Sequence, residues 1–280
     1  MCVGAPQPIF ARENGFVTGD LGVEREAPQW LEHGEGERLR RIAFLETAGG
    51  GSPVVWLGGF RSDMRATKAE ALAEWAGAAG RTFLRFDYAG HGESEGDFAD
   101  FTLSDWLEDA LATIRGRCAA PPVLIGSSMG GWLALLAARR LLGTNLAPAG
   151  LVLIAPAVDF TEELMWAQMP DAIRRAILDE GVWLRPSDYA PEPTPVTRAL
   201  IEDGRRHLLF GGEIRTGCPV HILQGMKDPD VPWRHALKLV EHLGGDPVVL
   251  TLIRDGDHRL STPEDIRRLQ AAVAAVTAGA

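Results

Sequence analysis

The chain has 280 residues, with 28 Lys and Arg against 38 Asp and Glu, a formal net charge of −10, and 46% hydrophobic residues. That length accommodates one large α/β domain or two small ones, with enough apolar material for a sizeable core. The acidic balance argues against a nucleic-acid partner, which would want a basic face. The dense basic cluster, Arg38, Arg40 and Arg41, falls in a strand-like segment and reads as a solvated face.

Three cysteines, Cys2, Cys118 and Cys218, lie far apart without a C-x-x-C, so neither a disulfide framework nor a zinc site is expected. Free thiols suit a reducing compartment. The first residues lack a charged segment followed by an apolar one, and no apolar run approaches a membrane span. The expectation is a soluble, cytoplasmic protein without stable membrane insertion.

In chain order, residues 1–27 are rich in Gly, Pro and charge and read as an irregular N-terminal arm. Strands are predicted at 29–32, 39–46, 53–58, 82–87, 122–127, 150–154, 219–224 and 248–253. Helices are predicted at 65–79, 103–117, 130–142, 232–243 and 263–277. Alternation of this kind predicts an α/β fold, a mostly parallel eight-stranded sheet with helices on both faces. The alternation stops between 157 and 215, where Pro170–Ile177 and Thr197–Leu209 read as helices and Trp183–Tyr189 as a loop. The expected organisation is a core of 28–156 and 216–280, with 157–215 as a helical cap or lid after strand six. That cap would sit over the strand ends where open α/β sheets bind ligands.

Gly126-Ser127-Ser128-Met129-Gly130 follows an apolar run and precedes a helix-like one. A G-x-S-x-G between a strand and a helix is a nucleophile elbow, and its frame selects Ser128 over Ser127. Glycines two before and two after the serine relieve a turn in which a Cβ would clash. A serine nucleophile needs a base and a carboxylate that orients the base, in the chain order Ser, acid, His. The acid is sought in Gly225-Met226-Lys227-Asp228-Pro229-Asp230-Val231-Pro232, where Asp228 holds the position after the strand. Asp230 is the competitor, otherwise a turn or helix-capping residue. His258, in Asp255-Gly256-Asp257-His258 after the last strand, is the expected base. His235 and His242 fall in a helix pattern and read as surface residues; His33, His207 and His221 show no partner pattern. A metal site from Asp255, Asp257 and His258 is disfavoured, because three ligands so close in sequence would have to wrap the ion.

An oxyanion hole needs two N–H donors. Met129 supplies one from its backbone, and Phe60, in the Gly58-Gly59-Phe60 turn, the other. Asp87-Tyr88-Ala89-Gly90-His91-Gly92 ends the fourth strand and turns toward the same face, with His91 read as structural. Met165, Trp166, Met169 and Trp183 are candidates for an acyl pocket, although Met and Trp at helical spacing more often form a cap's own core. No metal or organic cofactor is called for, and the expected partner is a small-molecule ester or thioester. A small-molecule receptor with slow or no turnover is the alternative.

The succession Gly-Gly-Phe, Asp-Tyr-x-Gly-x-Gly, Gly-x-Ser-x-Gly, Gly-x-x-Asp-x-x-Val-Pro and Asp-His resembles the α/β-hydrolase superfamily. Within it, Gly126–Leu133, Gly181-Val182-Trp183 with Pro186-Ser187-x-Tyr189, Gly225-Met226-Lys227-Asp228-x-x-Val231-Pro232-Trp233, and Asp257-His258-Arg259 resemble a narrower group. These are the mitochondrial α/β-hydrolase-domain acyl-protein (palmitoyl) thioesterases and their bacterial relatives. The resemblance runs from about residue 53 to the C-terminus, cap included. It implies thioesterase activity, with an acyl-protein ester or thioester as substrate, and cleavage of acyl glucuronides; with no mitochondrial presequence evident, a bacterial member is expected.

Overall fold

The computed structural model describes residues 26–186 and 192–279. Cys2, the arm up to residue 25, and Ser187 and Tyr189 of the cap motif lie outside the described residues. Eight strands form one sheet: β1 (Gln29–His33), β2 (Arg40–Thr47), β3 (Gly50–Leu57), β4 (Arg81–Phe86), β5 (Val123–Ser127), β6 (Gly150–Ile154), β9 (Val220–Gly225) and β10 (Val248–Ile253). Strands β7 (Val182–Arg185) and β8 (Thr194–Thr197) stand apart as a small antiparallel pair. The main order is β1-β2-β4-β3-β5-β6-β9-β10. The β1–β2 and β2–β4 pairs are antiparallel and the others parallel.

Strands β3, β5 and β6 are apolar almost throughout because both faces are covered. Successive side chains of a strand point to opposite faces, and the core divides accordingly. Val55 and Leu57 of β3 join a large cluster with residues of α2 (Leu103–Arg117), α3 (Met129–Leu141) and α6 (Trp233–His242). Val54 and Trp56 join a second cluster with Ala69, Leu72 and Ala76 of α1 (Thr67–Ala78) and Leu269, Ala272 and Val273 of α7 (Pro263–Ala278). Helix α7 starts with Pro263 after Thr262, whose hydroxyl accepts the Asp265 N–H at 3.2 Å, satisfying a donor that has no partner within the helix.

The chain between β6 and β9 departs from the sequence expectation in one respect. Trp183 does not lie in a loop; Val182–Arg185 pairs with Thr194–Thr197, and α5 (Arg198–Gly204) begins only after that strand. A four-residue strand carries too little periodicity to be read from sequence. The rest of the segment is a π-helical turn at Thr161–Met165, a short 3-10 turn, and α4 (Asp171–Glu180), which ends at Gly181 with φ +83°. Its two ends are tied together. Buried Asp159 accepts the Leu209 N–H at 2.8 Å and the Phe210 N–H at 2.9 Å. On α5, Asp203 accepts the Ser104 N–H at 2.8 Å and so caps α2 from outside the helix.

The basic cluster is also not uniformly solvated. The Arg40 side chain is 12% exposed, and its Nε donates to the fully buried Asp109 carboxylate at 2.7 Å. His33 meets the same oxygen at 2.7 Å, and the Ala89 N–H meets the other at 2.9 Å. A buried carboxylate demands such donors, because an unpaired charge in the interior is far costlier than an unpaired amide.

Candidate active site

Three loops at the C-terminal ends of β5, β9 and β10 meet at one place. The first is the elbow. Ser128 adopts φ +54° and ψ −117°, a backbone region costly for any residue with a Cβ. Ile154 and Ala157 hold it there: the Ser128 N–H donates to Ile154 O at 2.9 Å, and Ser128 O accepts the Ala157 N–H at 3.1 Å. Ser127 ends β5 opposite Ile154 and is buried, while Ser128 is partly open. The glycines are sterically required. A Cβ on Gly126 would lie 2.3 Å from Gly130 O, and one on Gly130 would lie 2.0 Å from Leu57 O. Gly131 faces Pro156 at 2.8 Å by the same measure, which lets α3 approach the exit of β6. Gly126→Ala is therefore expected to cost roughly 3 kcal/mol or more. Gly50→Ala, with nothing within 4 Å of the added carbon, should change stability by about 0.5 kcal/mol at most. Chemical denaturation of the two variants checks this, and equal losses would remove the steric account.

The second and third loops carry Asp228 and His258. His258 Nδ1 lies 2.8 Å from Asp228 Oδ2, and His258 Nε2 lies 3.1 Å from Ser128 Oγ. The Asp228 carboxylate is fully buried and the imidazole 18% exposed. Asp228 Oδ1 accepts the N–H groups of Asp230 and Val231 at 2.9 and 2.8 Å, so the carboxylate is anchored on its far side. Asp230 stays in the turn, 3.9 Å from Arg185, while α6 starts after Pro232 without a side-chain cap. Gly225 lets the two loops touch: a Cβ there would lie 2.5 Å from both Gly256 O and Asp257 O. Asp257, one residue before the histidine, accepts the Leu260 N–H at 2.9 Å and closes the turn around His258.

Asp228, Asp230 and His258 also offer ligand atoms within 4.8 Å of one another. Both Asp228 oxygens are already engaged, Oδ2 with His258 and Oδ1 with two N–H groups, so a cation would have to displace the bonds that shape the loop.

The Gly58–Phe60 turn lies against the elbow. A Cβ on Gly59 would be 3.3 Å from Ser127 O and 3.5 Å from Ser128 Cβ. Among the described residues, neither the Phe60 nor the Met129 N–H meets an acceptor in the surrounding turns and caps. Met129 opens α3, where the first N–H groups have no partner within the helix and the dipole favours negative charge. The Phe60 ring packs edge-on against Phe98 at 5.0 Å and tilts against Phe160 at 5.5 Å. Phe160 in turn meets Trp132 at 5.6 Å, so one aromatic wall joins this turn to α3 and to the start of the inserted segment. Met165 and Met169 are buried in the same core, with Trp166 and Trp183 packed against it. Arg205 and Arg174 stand over the Trp166 ring at 5.0 and 5.8 Å.

Several contributors escaped the sequence reading. Gln224 is fully buried in β9, and its Nε2 donates to Val231 O at 3.0 Å and to Asp228 Oδ2 at 3.2 Å, bracing the acid loop. An amide in an otherwise apolar strand end was the available signal. Lys68 Nζ donates to Arg259 O at 2.5 Å beside His258, and burial pushes its pKa down to about 8. His235 is a correction: it is buried, with Nε2 2.8 Å from Val158 O, and so pins α6 to the exit of β6. A cleft of about 820 Å3 opens elsewhere, lined by Arg40, Asp105, Ser104, Asp203 and Arg206 among others. Ser104, Asp105 and Asp203 serve there at the start of α2, Arg40 pairs with Asp109, and Arg206 pairs with Asp203.

The model of the alpha/beta hydrolase family matches residues 19–276. The chain belongs to the α/β-hydrolase family. Among curated relatives it is 31% identical over 270 residues to the human mitochondrial palmitoyl-protein thioesterase ABHD10, covering 93% of this chain and 87% of that protein. The bovine counterpart is 32% identical over 276 residues, covering 95% and 89%. Among solved structures, a putative hydrolase from Agrobacterium vitis shares 49% identity with a TM-score of 0.86, covering 89% of this chain and 98% of that one. Mouse α/β-hydrolase domain-containing protein 10 shares 30% identity with a TM-score of 0.79, covering 89% and 98%. The human and bovine relatives are mitochondrial by name. Among the described residues of this chain, no helix is long and apolar enough to cross a membrane.

Proposed function

We propose that the protein is a serine hydrolase that cleaves carboxylic esters or thioesters through an acyl-enzyme on Ser128. The observation that carries this reading is the pair of contacts through one imidazole, 3.1 Å to Ser128 Oγ and 2.8 Å to Asp228. His258 Nε2 takes the hydroxyl proton as Ser128 Oγ attacks the acyl carbon. Asp228 holds the imidazole with its proton on Nδ1 and offsets the positive charge that develops. The oxygen of the tetrahedral intermediate is met by the N–H groups of Met129 and Phe60, which await an acceptor. His258 then gives its proton to the leaving alkoxide or thiolate, and the acyl–oxygen or acyl–sulfur bond breaks. A water, deprotonated by the same imidazole, attacks the acyl-enzyme and releases the acid.

Residues 157–215 act as the lid, and Met165, Trp166, Met169 and Trp183 give the acyl chain an apolar lining. The thioester side of the proposal is supported by the palmitoyl-protein thioesterase relatives at about the same length. A panel of acyl substrates varying chain length, and oxygen against sulfur as leaving atom, tests the reading. The expected result is turnover on the order of 1 s⁻¹ or more on at least one member. No turnover on any of them, with folded protein, would sink the hydrolase reading.

A further inference from the structure

His91, in the loop after β4, is 4% exposed and meets the Phe98, Trp106 and Tyr88 rings edge-on at 5.0, 5.1 and 5.5 Å. Its Nε2 lies 3.3 Å from the Arg61 amide nitrogen, in position to accept that N–H, and its Nδ1 lies 3.3 Å from Ala89 O. Only a neutral ring with its proton on Nδ1 satisfies both neighbours. Burial pushes the pKa down to about 4, against the pull of the Asp109 carboxylate, which agrees with a neutral ring.

The amide that His91 accepts belongs to an unusual turn. Gly59-Phe60-Arg61-Ser62 is closed by the Ser62 N–H donating to Gly59 O at 3.1 Å, and Arg61 in its third position has φ +60°. Phe60 keeps an ordinary negative φ, so the turn is of type II, whose third position is normally glycine. An arginine there carries a cost of roughly 1 kcal/mol. The alternative type I turn would relieve that cost by flipping the central peptide, which joins Phe60 to Arg61. The flip would also turn the Arg61 N–H away from His91 and leave a buried acceptor unpaired. The next residues are held as well: the Met64 N–H donates to Asp87 at 2.6 Å, and Arg85 donates to Met64 O at 3.2 Å.

We propose that His91 is a positioning residue that locks the Gly59–Ser62 turn in its type II form and so anchors the backbone on the C-terminal side of Phe60, whose N–H meets the oxygen of the tetrahedral intermediate. This rests on the reading of Ser128 as nucleophile and Phe60 as donor. His91 touches no reacting atom; it acts through the peptide beside the donor.

Two amide substitutions separate the roles of the two ring nitrogens. His91→Gln carries a carbonyl oxygen out to where Nε2 stands, whereas His91→Asn reaches only as far as Nδ1 and leaves the Arg61 N–H unpaired. Loss of a whole oxyanion donor costs about 10²–10³ in kcat, so mispositioning one should cost His91→Asn roughly 10–100-fold, with KM within about threefold. His91→Gln should recover kcat to within about threefold of the wild type. Thermal midpoints of both variants are read alongside, because a purely structural role would lower Tm in step with activity and leave kcat per folded enzyme unchanged. The wild type needs no variant: its ¹⁵N-imidazole spectrum at pH 7 should show His91 neutral and protonated on Nδ1. Wild-type kcat in His91→Asn, an equal loss in His91→Gln, or an Nε2-protonated or charged His91 would overturn the proposal. Ser128→Ala in the same assay keeps the two levels apart. If it stays active, the parent reading fails and His91 with it; if it is inactive while the Asn and Gln variants behave alike, only the positioning role falls.

Discussion

Replacing Ser128 with alanine is expected to lower kcat by about 10⁴-fold or more, while Ser127→Ala stays within about tenfold of the wild type. The two hydroxyls are adjacent in sequence but stand in different places. Ser127 closes β5 and is buried, and Ser128 presents its Oγ to His258 at 3.1 Å. A further variant sharpens the test. Ser128 is held at φ +54° and ψ −117°, where only glycine is comfortable. Ser128→Gly should therefore be as inactive as the alanine variant, yet more stable than the wild type by about 1 kcal/mol, the net of relieved strain and added chain entropy. Activity assays and thermal melts of all three proteins check both halves. A dead Ser127→Ala with an active Ser128→Ala would move the nucleophile by one residue. A Ser128→Gly protein less stable than the wild type would show that the elbow stores no strain at this position.

Asp228→Asn is expected to lose about 10³–10⁴-fold in kcat, and Asp230→Asn about threefold at most. The hydrogen bonds around Asp228 give the reason. Its Oδ1 receives two backbone N–H groups, so the amide oxygen of an asparagine would take that side. The amide NH2 would then face His258 Nδ1, 2.8 Å away in the native protein, and would force the imidazole proton onto Nε2. An imidazole protonated on Nε2 has no lone pair for the Ser128 proton. Gln224 Nε2, 3.2 Å from the same Asp228 oxygen, would meet a second donor where it now finds an acceptor. Asp230, by contrast, stays in the turn with its charge 3.9 Å from a half-exposed Arg185, a pairing that solvent screens heavily. Steady-state kinetics on the best substrate of the acyl panel distinguishes the two. Equal and mild losses would mean that neither carboxylate orients the base.

Much of this architecture was legible in the sequence because it rests on local signals. The apolar runs of β5 and β6, the helical period of α2, and the threonine and proline that open α7 act within a few residues of themselves. The spacing of Gly126 and Gly130 belongs with them. The β7–β8 pair was not legible, since four residues show too few alternations and the partner strand is equally short. The same holds for His235, which looked like one more polar residue on a helix and turned out to bind Val158 O.

The sequence by itself determined the alternating strands and helices, the elbow that singles out Ser128, and the loops on which Asp228 and His258 would lie. Each follows from backbone sterics or side-chain periodicity acting over short stretches of chain. Only the tertiary structure decided that Asp228 Oδ1 is spent on two amides, that Gln224 braces the acid loop, that Arg40 serves a buried carboxylate, and that His91 accepts the Arg61 N–H. Those are pairings between residues distant in sequence, and burial sets their strength by making an unpaired donor or acceptor costly.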